Sequence, residues 1–155
     1  MNWEQEVNGF KNYLKVEKGL SDNSIHAYIT DLLKLVQFLK EKGYDVSPEQ
    51  VKLDHLKEMM EWVNDKGISP RTQARIISGI KSFYKYLLIE EKVDKDPTAL
   101  LETPKVGRKL PEILSVEEID TIINAVDTKK PEGQRNKAIL ETLYSCGLRY
   151  RTALW

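Results

Sequence analysis

Apolar residues recur along this chain at helical spacing, and no stretch alternates convincingly enough for a strand. Val7, Phe10, Tyr13 and Leu14 share one face of a helix expected from about Trp3 to Glu17, which ends near Gly19. Ser21 opens a second helix, with Ile25, Tyr28, Ile29, Leu32, Leu35, Val36 and Leu39 on one stripe and Gly43 as its stop. A turn follows around Ser47-Pro48. The third helix is expected over roughly Asp54 to Lys66, with Leu56, Met59, Met60 and Val63 inward and Gly67 behind it. Ser69 then supplies a cap and Pro70 a first helical position, a strong start signal for a fourth helix running to about Glu91.

Asp96-Pro97 breaks this pattern. The stretch from Thr103 to Pro111 holds two prolines, a glycine and three basic residues, and reads as a linker between domains. Ser115 and Glu118 form a capping box that opens a helix to about Val126. A last helix is expected from about Glu132 to Cys146, ending at Gly147. The expected organisation is therefore all-α, with a four-helix domain over residues 1–103 and a linker with two further helices over 104–155. Two helices cannot bury both their faces alone, so the second domain reads as truncated.

Composition narrows the classes of function. Apolar residues make up 41% and charged residues 31%, a globular balance rather than a disordered one. No apolar run approaches the roughly 20 residues that cross a bilayer, and the acidic opening is unlike a secretory leader. The single cysteine, Cys146, has no partner within the chain for a disulfide. These features give a cytoplasmic expectation, with no membrane partner. The 24 basic and 24 acidic residues cancel, so net charge does not announce a nucleic-acid partner. The distribution says more. From Pro70 to Leu110 nine basic residues face five acidic ones, whereas the preceding segment holds nine against twelve.

The fourth helix carries the clearest candidate chemistry. Ile76, Ile77, Ile80, Phe83, Tyr84, Leu87 and Leu88 cluster on one side at about 100° per residue. Arg71, Arg75, Ser78, Ser82 and Lys85 form a narrow stripe opposite, with Lys81 at its flank. From Ser69 to Ile89 there are four cations and no carboxylate, unlike an ordinary exposed face that mixes signs. Cations and hydroxyls so arranged suit phosphates and groove edges. On the second helix His26, Thr30, Lys34 and Gln37 lie together opposite the apolar stripe, and the two helices side by side would make one contact surface. The alternative is a helical protein-interaction module whose polar stripes are merely solvated.

Several segments, in colinear order, resemble the Xer-like tyrosine recombinases and phage-type integrases. Gly19-Leu20-Ser21-Asp22-Asn23-Ser24-Ile25-His26-Ala27-Tyr28-Ile29-Thr30-Asp31-Leu32, followed by Phe38-Leu39, is similar to the N-terminal signature. Ser78-Gly79-Ile80-Lys81-Ser82-Phe83-Tyr84-Lys85-Tyr86-Leu87 resembles the fourth-helix signature. Asp96-Pro97, Pro104-Lys105, Leu110-Pro111, Leu114-Ser115 and Glu117-Glu118 follow in the family's order. The run from Arg135 through Cys146-Gly147-Leu148-Arg149 is similar to the start of its catalytic domain.

The resemblance implies a SAM-like core-binding domain whose second and fourth helices lie in the major groove of double-stranded DNA. Lys105, Arg108 and Lys109 of the linker join the expected DNA-binding residues. It also implies that Arg149 is the first active-site arginine, for a reaction in which a tyrosine attacks a DNA phosphodiester without metal or other cofactor. Arginines serve such chemistry because charge growing on phosphate oxygens needs fixed cations. The implied full-length parent acts with other recombinase subunits, as a tetramer on DNA, in recombination or integration, with resolution of chromosome dimers as one such role. Thr30 departs from the pattern, since relatives often carry arginine before the aspartate. Tyr150-Arg151-Thr152-Ala153-Leu154-Trp155 departs again after Arg149, and the remaining catalytic residues would lie downstream. The expectation is a chain that binds DNA and is not an enzyme by itself.

Overall fold

Helix starts are fixed by side chains that accept the first free backbone N–H groups. In this computed structural model, which describes residues 2–104, 107 and 112–149, Asn2 caps α1 (Trp3–Val16) by accepting from the Glu4 N–H at 3.1 Å. Ser21 caps α2 (Asp22–Glu41) and Ser69 caps α4 (Pro70–Ile89), each accepting from a backbone N–H at 3.4 Å. For α3 (Leu53–Asp65) the roles reverse: the backbone N–H of Lys52 donates to Nδ1 of His55 at 3.2 Å. The ends lie within two residues of expectation. At α4 the reason is specific, because Glu91 adopts a φ of 53° that the helix cannot continue through. The turn at Ser47-Pro48 is a short 3-10 segment, Pro48–Gln50.

The chain forms two compact units, Met1–Gly107 and Arg108–Trp155, with no strand among the described residues. In the first, Phe10 of α1, Leu32, Leu35 and Phe38 of α2, Leu56 and Met59 of α3, and Ile76, Ile80 and Phe83 of α4 have no solvent exposure. Each such side chain stabilises the fold by roughly 1.5–3 kcal/mol relative to an exposed one. Phe10 meets Phe83 edge-on at 5.4 Å, so the middles of α1 and α4 are in direct contact. Connections are held by polar straps. Tyr84 donates its buried hydroxyl to the Pro48 carbonyl at 3.0 Å, and Trp3 donates to the Val46 carbonyl at 2.8 Å. Past α4, Lys92 reaches the buried Glu6 of α1 at 2.8 Å and the Tyr86 hydroxyl at 3.1 Å. Thr98, wholly buried, donates its N–H and hydroxyl to Asp96 Oδ1 at 2.7 and 2.6 Å. Leu101 belongs to the same core, so this unit continues well beyond its last helix.

The contact of α2 with α4 has an unusual feature. Asp31 sits on α2 with a side chain only 2% exposed, and its Oδ2 lies 2.8 Å from Arg75 Nη1 of α4. A Cβ on Gly79 of α4 would stand 3.1 Å from the Asp31 Cβ, so the absence of a side chain there lets α2 approach α4 closely at Asp31. Lys34, one turn along α2, lies 3.8 Å from Oδ1, and that oxygen accepts no hydrogen bond. Burial pushes the Asp31 carboxyl above its ordinary value of 3.8, against the opposing pull of Arg75 and then Lys34.

In the second unit, Ser115 and Glu118 form the expected capping box of α5 (Val116–Asn124), with hydrogen bonds of 2.8 and 3.2 Å. Proline also begins α6 (Pro131–Ser145). Ile123 is the one buried hydrophobic residue among those described in this unit, and none of α6 is buried. Ile113, Leu114 and Tyr144 stay exposed. Two helices thus leave most of their apolar surface uncovered.

These contacts set three stability outcomes. Arg75→Ala strands a buried carboxylate and is expected to cost roughly 3 kcal/mol, whereas Asp31→Asn leaves a half-exposed guanidinium to water and costs less than about 1 kcal/mol. Urea titration of both variants checks the asymmetry; equal losses would contradict it. A raised carboxyl pKa favours the protonated fold, so that contribution is fully present below 3.8 and lost as pH rises through the folded value. The Tm of the wild type minus that of Asp31→Asn should therefore increase as pH falls from neutral toward 4. Tyr84→Phe keeps the ring but leaves the Pro48 carbonyl without its donor, and should cost about 1 kcal/mol in the same titration.

Candidate nucleic-acid interface

The cap at Ser69 and the proline behind it set where α4 begins, and burial of Ile76, Ile77, Ile80, Phe83 and Tyr84 sets its rotation. Arg71, Arg75, Ser78 and Lys85 consequently face solvent, while Lys81 and Ser82 are partly buried at the margin. The Ser78 hydroxyl donates to the Ala74 carbonyl at 2.9 Å, so its oxygen is left to act as an acceptor. Among the described residues no ion pair involves Arg71, Lys81 or Lys85.

Arg75 differs. The stripe read along α4 is free of carboxylates, but α2 delivers Asp31 to it, so the ridge is not a row of unpaired cations. Sequence distance hides this pairing, because 44 positions separate the two partners. The same carboxylate lies beside Lys34, and this joins the polar faces of the two helices. His26 and Thr30 are exposed on α2 as expected. Gln37 is engaged elsewhere, donating to Glu41 at 2.8 Å in a cluster with Trp62 and Lys66 of the α3 region. Hydrogen bonding, from Gln37 first, holds the Glu41 carboxyl below the usual carboxylate range.

Two further cations join this region through the fold alone. A surface depression of about 300 Å³ is lined by Lys11 and Lys15 of α1 together with Asp22, Ile25, His26 and Ile29 of α2. Lys11 and Lys15 carried no signal, since each is an ordinary lysine on the polar face of an amphipathic helix. Asp31 did carry one. It stands three residues after Tyr28 and four before Leu35, at an inward position where a carboxylate is out of place.

Lys105, Arg108 and Lys109 lie outside the described residues. Arg149 follows α6 in the second unit and is exposed, as is Cys146 at the end of that helix. Among the described residues no three His, Cys, Asp or Glu side chains gather as a metal site, and no helix is long and apolar enough to cross a membrane.

Comparison with known proteins places these features. Residues 7–91 match the family described as "Phage integrase, N-terminal SAM-like domain". The chain is 38% identical to tyrosine recombinase XerD of Pseudomonas putida, over 92% of its own length and 47% of the relative. It is 36% identical to XerD of Listeria innocua, over 92% of the chain and 48% of the relative. Tyrosine recombinase XerC of Natranaerobius thermophilus is 40% identical, over 93% and 48%. The chain spans about half the length of the curated relatives it matches. By the match across α1 to α4, the chain belongs to the phage integrase N-terminal SAM-like domain family.

Proposed function

We propose that this chain is the DNA-binding N-terminal part of a site-specific tyrosine recombinase, which grips duplex DNA through the polar faces of α2 and α4. The observation that carries the proposal is the meeting of Lys34 and Arg75 at Asp31, which makes two helical stripes into one surface. Arg71, Ser78, Lys81, Ser82 and Lys85 extend it along α4, and His26 and Thr30 along α2. Phosphate contacts set the register of such a surface, and side chains reaching base edges give it selectivity. Residues 1–103 are the core-binding domain in this reading. Residues 104–155 supply the linker, with Lys105, Arg108 and Lys109 as further phosphate contacts, and the start of the catalytic domain.

Arg149 would be the first arginine around the scissile phosphate, a cation placed where charge grows on the phosphoryl oxygens. Strand cleavage then needs residues that this chain does not supply, and the parent would act on DNA with further recombinase subunits in the cytoplasm. The names of the XerD and XerC relatives support the recombinase assignment.

The cleanest test uses cations free of ion pairs. Arg75→Glu is a poor probe, because it would set a second carboxylate against buried Asp31 and so perturb folding as well as binding. Arg71→Glu and Lys85→Glu are each expected to weaken binding to duplex DNA. Each should also reduce the slope of log affinity against log salt by about one. Fluorescence anisotropy over a salt series measures both quantities. Unchanged titrations would overturn the proposal. No binding at low salt, together with concentration-dependent self-association, would favour a protein-interaction module instead. On a nicked suicide duplex, this chain should accumulate no phosphotyrosyl-DNA; its appearance would show that the chain cleaves unaided.

A further inference from the structure

Asp31 is a puzzle for a view based on stability alone. Its neighbours along α2, Leu32 and Leu35, are buried aliphatic residues, and a neutral residue of similar volume at 31 would be buried without desolvating a charge. One carboxylate oxygen is 2.8 Å from Arg75 Nη1, while the other is buried and accepts no hydrogen bond. Burial pushes its pKa up, outweighing the opposing pull of Arg75 and Lys34. Gly79 lets the Asp31 side chain come this close to α4, with its Cβ 3.1 Å from where a Cβ at 79 would stand. Arg75 remains 49% exposed, so only part of its guanidinium is engaged and the rest faces solvent on the α4 stripe.

Resting on the DNA-binding reading above, we infer that Asp31 is a positioning residue for DNA recognition, which pins one end of the Arg75 guanidinium and offsets the charge of Arg75 and Lys34. A guanidinium carries five N–H donors in a rigid plane. Anchoring one nitrogen narrows the range of orientations open to the plane, and the free N–H groups then favour meeting a base edge in the geometry that bidentate reading of guanine requires. An unpinned arginine would turn instead to the nearest phosphate, which carries no sequence information. The partial neutralisation acts in the same direction, because it weakens sequence-independent attraction to the backbone while leaving directional hydrogen bonds in place. Asp31 thus lowers general affinity and raises selectivity.

The test compares the whole chain with its Asp31→Asn variant on a pool of random-sequence duplexes. The quantities measured are affinity for the unselected pool across salt and the sequence enrichment after rounds of selection. Asp31→Asn should remain folded, bind the unselected pool several-fold more tightly, show a salt slope steeper by about one, and enrich sequences less sharply. Arg75→Lys keeps a cation beside Asp31 but loses the fork, so its salt slope should hold while enrichment falls. A merely structural Asp31 would instead lower affinity for every duplex in proportion to the unfolded fraction, and that result overturns the inference. So does an Asp31→Asn variant with wild-type slope and enrichment, or an Arg75→Lys variant that enriches as the wild type does. If the wild type itself binds no duplex, the DNA reading fails; if it binds and selects while both variants match it, only the role given to Asp31 fails.

Discussion

The first unit depends on how closely α2 can approach α4. Phe10 and Phe83 fill the centre of the core, but the separation of the two helices is set where Gly79 admits Asp31. At that point the main chain of α4 faces the Asp31 side chain with no Cβ between them. Both helices then turn their apolar stripes to a common core and their polar stripes outward, and Lys34 and Arg75 become neighbours through one shared anion. The surface is therefore a product of packing: it exists only while the aliphatic core holds the two backbones at this distance.

A net charge of zero makes such local organisation matter more. A strongly basic protein attracts DNA from a distance whatever its surface details. Here long-range attraction is weak, and any grip on a duplex has to come from cations gathered on one side. Among the described residues the fold gathers Arg71, Lys81 and Lys85 without an ion-pair partner, and it brings Lys11 and Lys15 up to His26. Some acidic residues are engaged elsewhere, in the Glu118 capping box, in the Glu41 cluster and in the strap of Glu6 with Lys92, whereas Asp22 and Asp31 stand among these cations.

Much of this was legible in the sequence. Helix periodicity, the Ser21 and Ser69 caps, the Ser115–Glu118 box and the glycine stops locate six helices to within a residue or two. Those signals are local, depending on neighbours three or four positions apart. The stripe on α4 was legible for the same reason. What the sequence concealed was pairing across elements. Asp31 and Arg75 belong to different helices, and only the tertiary fold turns an odd carboxylate on an apolar stripe into the partner of a cation. Gln37 was misleading in the reverse sense, since its neighbour at Glu41 draws it into a cluster with Trp62 and Lys66. The second unit was legible both for its helices and for the shortfall of burial expected of two helices, and Ile113, Leu114 and Tyr144 are exposed.

The missing side chain at position 79 also constrains how this sequence can drift. A methyl group there would press on the Asp31 Cβ, so a larger residue on α4 is accommodated only if position 31 loses its Cβ or the helices part by a few tenths of an ångström. Shrinking position 31 removes the shared anion; parting the helices opens the core at Ile76 and Ile80. A side chain at 79 is therefore coupled to position 31, although 31 can change alone, and divergence among descendants of this chain would leave its trace as substitutions at 79 that occur only alongside changes at 31, far apart in sequence yet bound by a few tenths of an ångström.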